Sequence, residues 1–96
     1  MKDPYQIIER PLLTEKTMDL SHAGKYTFRV NLDANKLEIA DAVQKIFKVD
    51  VVKVNTMIVK GKKRRVGRNP EGRTSDWKKA IVTLKPGQAI TLFEGL

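Results

Sequence analysis

The stretch KYTFRVN, residues 25–31, decides the fold class, because its side chains alternate between apolar and polar. Its apolar members share one face of an extended chain: Tyr26, Phe28 and Val30. Its polar members share the other face: Lys25, Thr27 and Arg29. A period of two is typical of a β-strand with one buried and one wet face. The sequence therefore predicts a strand in a sheet that is covered on one side.

A helix is predicted to follow this strand and to provide that cover. Asn35 precedes Glu38 by three residues, which is the spacing of a capping box. The apolar residues after it recur at helical spacing: Ile39, Ala40, Val43, Ile46 and Phe47. This period predicts a helix from about Lys36 to Lys48, with its apolar stripe packed on the sheet.

Further strands are predicted in the second half of the chain. Val51 to Lys60 is rich in β-branched residues, and Ala80 to Leu84 is a second such run. Lys85-Pro86-Gly87-Gln88 has the proline and glycine of a type II turn. A short last strand is expected at Ile90 to Phe93.

Short helices are predicted before the first strand. Asp3-Pro4 has the acid and proline of a helix start, and Pro11 keeps that helix short. Thr14 can cap a second helix, Glu15 to about Ser21, which ends before Gly24. The predicted fold class is α+β: an antiparallel sheet of three to four strands with helices packed on it, and a long basic hairpin loop. Residues 1–96 are expected to form a single domain.

Composition argues against an enzyme. The chain has no cysteine and one histidine, His22. Thiolate chemistry and disulfides are thus excluded, and neither a His-based triad nor a multi-histidine zinc site is expected. No paired carboxylates stand out. We expect no catalytic, metal or cofactor site. The chain has no apolar run of membrane-spanning length, and acids and a proline occupy its N-terminus. We therefore expect an unprocessed cytoplasmic protein.

One segment, GKKRRVGRNPEGRTSDW at 61–77, lies within the most basic stretch of the chain and is here called the basic arm. Lys60 to Lys79 contains nine basic residues and two acids, whereas the other 76 residues contain ten basic residues and nine acids. The chain as a whole carries +8. A loop of this length with almost no apolar residues is usually functional or disordered. Besides binding a polyanion, the segment could be a charged loop that only contacts water, or a localisation signal.

The residue types of the basic arm suit RNA. An arginine can bind two phosphate oxygens at once, and a lysine adds a mobile point charge. Trp77 can stack on a base, a ribose or an arginine, or it can cover the edge of the sheet, and the sequence leaves these alternatives open. The glycines Gly61 and Gly67 do not form a P-loop, because their spacing is wrong and no Lys-Ser/Thr follows.

Short motifs along nearly the whole chain resemble those of the bacterial large-subunit ribosomal protein family L23. They are, in order, Pro11-Leu12-Leu13-Thr14-Glu15-Lys16, Lys25-Tyr26-Thr27-Phe28, Asn35-Lys36-Leu37-Glu38-Ile39, Phe47-Lys48-Val49, Val52-Lys53-Val54-Asn55-Thr56, Lys60-Gly61-Lys62-Lys63-Arg64, Asp76-Trp77-Lys78-Lys79-Ala80 and Pro86-Gly87-Gln88. The family varies most at residues 69–75, so the resemblance says least about contacts there.

The resemblance implies a structural constituent of the large ribosomal subunit that binds large-subunit rRNA beside the exit of the nascent-peptide tunnel. Neighbouring large-subunit ribosomal proteins, trigger factor and the signal recognition particle are the implied protein partners. In the family, the glutamate of the Ser/Thr-Glu-Lys motif contacts trigger factor, and it corresponds to Glu15. The rRNA-binding residues predicted from the basic arm and the motifs are Lys16, Lys36, Asn55, Thr56, Lys60, Lys62, Lys63, Arg64, Arg65, Arg68, Arg73, Trp77, Lys78 and Lys79.

Three other classes are weighed against this one. A module resembling the RNA-recognition motif needs aromatic residues on neighbouring central strands, but the predicted Val51 to Lys60 strand has none. A protein-only interaction module would bind without a steep dependence on salt. A small enzyme is opposed by the residue inventory.

Overall fold

The computed structural model of the chain describes residues 3–61, 63–66, 69–73 and 76–91. Three helices and six strands lie in these ranges. In chain order they are α1 (Pro4–Ile7), β1 (Ile8–Pro11), α2 (Glu15–His22), β2 (Lys25–Val30), α3 (Lys36–Phe47), β3 (Val51–Val59), β4 (Lys63–Val66), β5 (Asn69–Arg73) and β6 (Trp77–Leu84). None of the helices in these ranges is long and apolar enough to cross a membrane.

Four of the strands form one antiparallel sheet, in the order β1-β2-β6-β3. β2 and β6 are therefore central, and each pairs along most of its length with its neighbours. In this register Phe28 lies opposite Ala80, and Ala80 lies opposite Thr56. Residues that are directly opposite in a ladder share a face, so these pairs fix which side chains point the same way. The predicted α+β class with an antiparallel sheet is confirmed.

Helix α3 covers the face of the sheet that bears Phe28 and Ala80. Ile39, Ala42 and Val43 of α3 are buried in the same core as the sheet residues. The ring of Phe47, at the end of α3, lies with its centroid 5.5 Å from that of Phe28. Burying this apolar stripe is the main source of stability for a helix of this length. The predicted packing of the stripe against the sheet is confirmed.

Each helix begins at its predicted N-cap residue, where side-chain hydrogen bonds cap the first turn. The Asn35 side chain accepts from the Glu38 amide at 2.8 Å, and the Glu38 side chain accepts from the Asn35 amide at 3.1 Å. Thr14 forms a second capping box with Thr17. Asp3 accepts from the Tyr5 amide and caps α1. Each box satisfies amide groups that have no partner inside their own helix.

The fourth strand of the sheet is not the predicted one. Ile90 does not lie in a strand but packs into the core, and Phe93 lies outside the described residues. The fourth strand is β1, which pairs with β2 and has a register shift between Ile8 and Arg10. A four-residue strand ending in proline has little local signal, because Pro has no backbone N–H to donate to a ladder and is found mainly at sheet edges.

Two other predictions about the sheet need correction. β6 begins at Trp77, three residues before the predicted Ala80, so Trp77 to Lys79 belong to the sheet rather than to a loop. Thr27 is fully buried although it lies on the face of β2 predicted to be wet. The alternation of apolar and polar residues identifies the two faces of a strand. It does not show whether a distant segment of the protein covers the polar face.

The basic arm contains regular structure in its described part. The sequence predicts a loop here, whereas β4 and β5 pair antiparallel with each other and form a separate two-stranded sheet. Lys63 lies opposite Arg73, and Arg64 lies opposite Gly72. Neither strand contains the apolar alternation from which strands are predicted, so their pairing had no sequence signal.

Candidate nucleic-acid interface

The basic arm leaves and rejoins the four-stranded sheet at adjacent positions. β3 ends at Val59, which lies opposite Trp77, the first residue of β6. Just beyond this last pair, the Asp76 carboxylate accepts a hydrogen bond from the Gly61 amide at 2.6 Å. It also pairs with the Lys60 ammonium at 3.7 Å. We call Lys60, Gly61, Asp76 and Trp77 the root of the arm.

One face of the sheet at this root is polar and basic. Ala80 is buried under α3, so its neighbours in β6, Lys79 and Ile81, point to the opposite face, here called the outer face. Lys79 lies opposite Arg29 of β2, and Ile81 lies opposite Asn55 of β3. The outer face thus brings predicted site residues from β3 and β6 together beside the root of the arm.

Trp77 also lies on the outer face, and Arg29 stacks against it. The guanidinium carbon of Arg29 lies 5.3 Å from the centre of the Trp77 ring. Arg29 additionally pairs with Glu9 of β1 at 3.2 Å. The arrangement agrees with one of the predicted roles of Trp77, stacking with an arginine. Arg29 is a candidate site residue that the sequence did not identify, because its contact depends on the pairing of β2 with β6.

Several other predicted residues lie away from the outer face. Thr56 lies opposite buried Ala80 and therefore points toward α3. Lys78 donates from its ammonium to the carbonyl of Ala34, in the turn before α3. This bond anchors that turn to β6, so Lys78 has a structural contact besides any contact with RNA. Lys36, the first residue of α3, is exposed on the helix side of the sheet.

The remaining predicted rRNA-binding residues belong to the basic arm and to α2. Lys63, Arg64 and Arg65 are consecutive residues of β4, and Arg73 ends β5. Lys16 is exposed in the first turn of α2. Two further residues lie outside the described residues: Lys62 and Arg68.

Glu15, the predicted chaperone-docking residue, is the first residue of α2 and is exposed. Its position after the Thr14 cap suits the positive end of the helix dipole. Nearby, Leu13 is exposed over 42% of its surface, while Met18 packs partly against the core. An exposed carboxylate and an exposed apolar side chain are therefore two residues apart in the chain.

Metal-binding chemistry has no support within the described residues. No three His, Cys, Asp or Glu side chains lie close enough together there to hold an ion. The aromatic residues of β2, Tyr26 and Phe28, are buried in the core and cannot stack on bases. An RNA-recognition-motif mode of binding, which uses exposed aromatic residues of central strands, is therefore not available to β2.

Comparison with known proteins identifies the family. Residues 6–92 match the profile of the family described as Ribosomal protein L23. The chain is 57% identical to the large ribosomal subunit protein uL23 of Pelotomaculum thermopropionicum over 96 residues, which cover all of both chains. It is 58% identical to the protein of the same name from Geobacillus stearothermophilus over 95 residues, 98% of this chain and 99% of the relative. A third protein of that name, from Heliobacterium modesticaldum, is 52% identical over the full length of both. On this evidence the chain belongs to the ribosomal protein L23 family.

Proposed function

We propose that this protein, a structural constituent of the large ribosomal subunit by its family, binds large-subunit rRNA. The basic arm makes most of the phosphate contacts, and the outer face at the root of the arm makes the rest. As a member of a ribosomal protein family it is not an enzyme, and its place is in the cytoplasmic ribosome.

The uneven distribution of charge carries this proposal. Nine basic residues and two acids lie between Lys60 and Lys79, while the other 76 residues are almost neutral. Solubility alone does not require such a concentration. A polyanion does, because each phosphate neutralised by a lysine or arginine releases counterions and adds to affinity.

Part of the proposed RNA-binding surface lies together at the root of the arm. Arg29 and Lys79 lie opposite each other on the outer face, and Trp77 lies beside them at the root of the arm. Arg29 covers one side of the Trp77 ring, so a base would stack on the other side. Base stacking on an aromatic ring is tolerant of sequence, which suits a protein that recognises folded RNA by shape.

The proposed docking role concerns α2. We infer that Glu15 and the adjoining apolar residue Leu13 form part of a platform at the exit of the nascent-peptide tunnel. Trigger factor and the signal recognition particle are the proposed transient partners, beside neighbouring large-subunit proteins as permanent ones. The support is an exposed carboxylate two residues from an exposed leucine, a combination that favours a charge-assisted hydrogen bond within a protein interface.

A salt titration tests the RNA-binding proposal. The purified chain is bound to large-subunit rRNA transcribed in vitro, and the affinity is measured at several salt concentrations. If the protein neutralises roughly five to eight phosphates, the logarithm of the affinity falls with the logarithm of salt with a slope of about −4 to −7. A slope near zero would refute RNA binding through phosphates and favour a protein-only module.

A further inference from the structure

Asp76 joins the two ends of the basic arm. Its carboxylate accepts from the amide of Gly61, 15 residues earlier in the chain, at 2.6 Å. It also lies 3.7 Å from the ammonium of Lys60. The Asp76 side chain is 31% exposed, whereas that of Lys60 is 74% exposed. The carboxylate is therefore partly shielded from water at the point where the arm begins.

Asp76 places a negative charge within the basic segment that is proposed to bind RNA. Asp76 is one of two acids among the 20 residues from Lys60 to Lys79. An acid in this segment repels phosphates and lowers affinity for RNA if it does nothing else. The contacts with Gly61 and Lys60 reach across from the returning end of the arm to the departing end, so the carboxylate acts as a crosslink between them.

Trp77, the residue that follows Asp76, is fixed in the sheet by contacts with two other strands. Trp77 lies opposite Val59 at the last pair of β3 and β6, and its ring lies against Arg29 of β2. The root of the arm is thus connected to three strands of the four-stranded sheet. A tight connection at the root limits the directions in which the arm extends, and an ordered arm loses less conformational entropy when it binds.

We infer that Asp76 is a positioning residue for RNA binding: it fixes the direction of the basic arm by bridging Lys60 and Gly61. This inference rests on the proposed function, since it concerns the same arm and the same RNA. It assigns to an acid, whose charge opposes RNA binding, a net favourable effect on that binding.

The test compares Asp76→Ala with Asp41→Ala. Both changes remove one acid, and Asp41 forms an exposed pair with Lys45 within α3, away from the arm. If Asp76 only contributes charge, both variants bind rRNA as tightly as the wild type or slightly more tightly. If it positions the arm, Asp76→Ala lowers the affinity about three- to tenfold, the scale of one lost preorganising contact.

A second measurement follows the hydrogen bond itself. Hydrogen exchange at the Gly61 amide should accelerate at least about tenfold in Asp76→Ala, because its acceptor is gone. Asp76→Asn keeps an oxygen at the same place, so Gly61 stays protected and most of the affinity returns. If Asp76→Ala does not fold, rRNA affinity and Gly61 exchange are measured in Asp76→Asn instead.

The results separate this inference from the proposed function. Loss of salt-dependent rRNA binding in the wild type itself would refute the proposed function. Wild-type binding with undiminished affinity in Asp76→Ala would overturn the positioning role alone. The positioning role would also be overturned if Asp76→Asn bound rRNA with full affinity while its Gly61 amide was unprotected from hydrogen exchange.

Discussion

Removing positive charge from the basic arm should separate binding from folding. We consider the change of Lys62, Lys63, Arg64 and Arg65 to alanine together, which removes four of the nine basic residues between Lys60 and Lys79. Three of the four lie in β4, which pairs with β5 and not with the four-stranded sheet. The buried core of the described residues includes none of the four, so we expect the fold to remain intact.

The expected loss of affinity follows from counterion release. Each phosphate contact contributes about 0.7–0.9 to the slope of log affinity against log salt, which corresponds to roughly four- to fivefold in affinity near 0.15 M salt. If two of the four residues contact phosphates, rRNA affinity falls about 15-fold or more, and if all four do it falls roughly 200-fold or more. Surface substitutions of this kind change the free energy of unfolding by only about 0.5 kcal/mol each or less.

The assay measures rRNA affinity at several salt concentrations and thermal unfolding of the same preparations. A control that replaces four exposed lysines of the body removes the same charge: Lys25, Lys45, Lys53 and Lys85. Lys45 and Lys85 lie outside the sheet, and Lys25 and Lys53 pair with Thr83, at the end of β6 away from the root of the arm. We therefore expect screening to leave only a small effect, about threefold or less. Equal losses in the two variants would refute the special role of the arm, and a large loss of thermal stability with unchanged affinity would show that the arm is structural.

Three other substitutions test the docking site and the fold. Glu15→Ala should weaken trigger-factor binding to ribosomes by about 1–3 kcal/mol, the scale of one hydrogen bond to a charged group, with rRNA affinity unchanged; equal trigger-factor affinities would exclude the docking role. Asn35→Ala removes the cap of α3 and should destabilise the fold by about 1 kcal/mol. That loss lowers Tm by roughly 4–8 °C for a domain of this size, and an unchanged Tm would mean that the capping box contributes nothing. Thr27→Val should raise the free energy of unfolding by about 1 kcal/mol. The reason is that the Thr27 hydroxyl is fully buried and, within the described part of the chain, has no hydrogen-bond partner; lower stability in urea unfolding would contradict this.

The parts of the fold that the sequence predicts well are those set by neighbouring residues. The start of α3 depends on Asn35 and Glu38, three residues apart, and its packing depends on a stripe that repeats every turn. The turn before Gln88 depends on Gly87, whose φ of 89° is costly for other residues. Each of these signals is complete within one short segment.

The errors concern contacts between distant segments. β1 pairs with β2 although the strand itself has little β character, and Thr27 is buried although its own strand predicts a wet face. The same limit applies to the site. The charge of the basic arm is visible in the sequence, whereas the stacking of Arg29 on Trp77 requires the register of β2 and β6. The bridge from Asp76 to Gly61 likewise requires the pairing of β3 and β6.

Side-chain density for this chain in an intact large ribosomal subunit tests the central claim most directly. We expect the guanidinium groups of Arg64 and Arg65 within hydrogen-bonding distance of rRNA phosphate oxygens, about 2.7–2.9 Å for charge-assisted bonds. We expect the outer face at Lys79 to lie against RNA and Glu15 to face solvent at the tunnel exit. A basic arm that lies in solvent, or only against protein, would contradict the proposal.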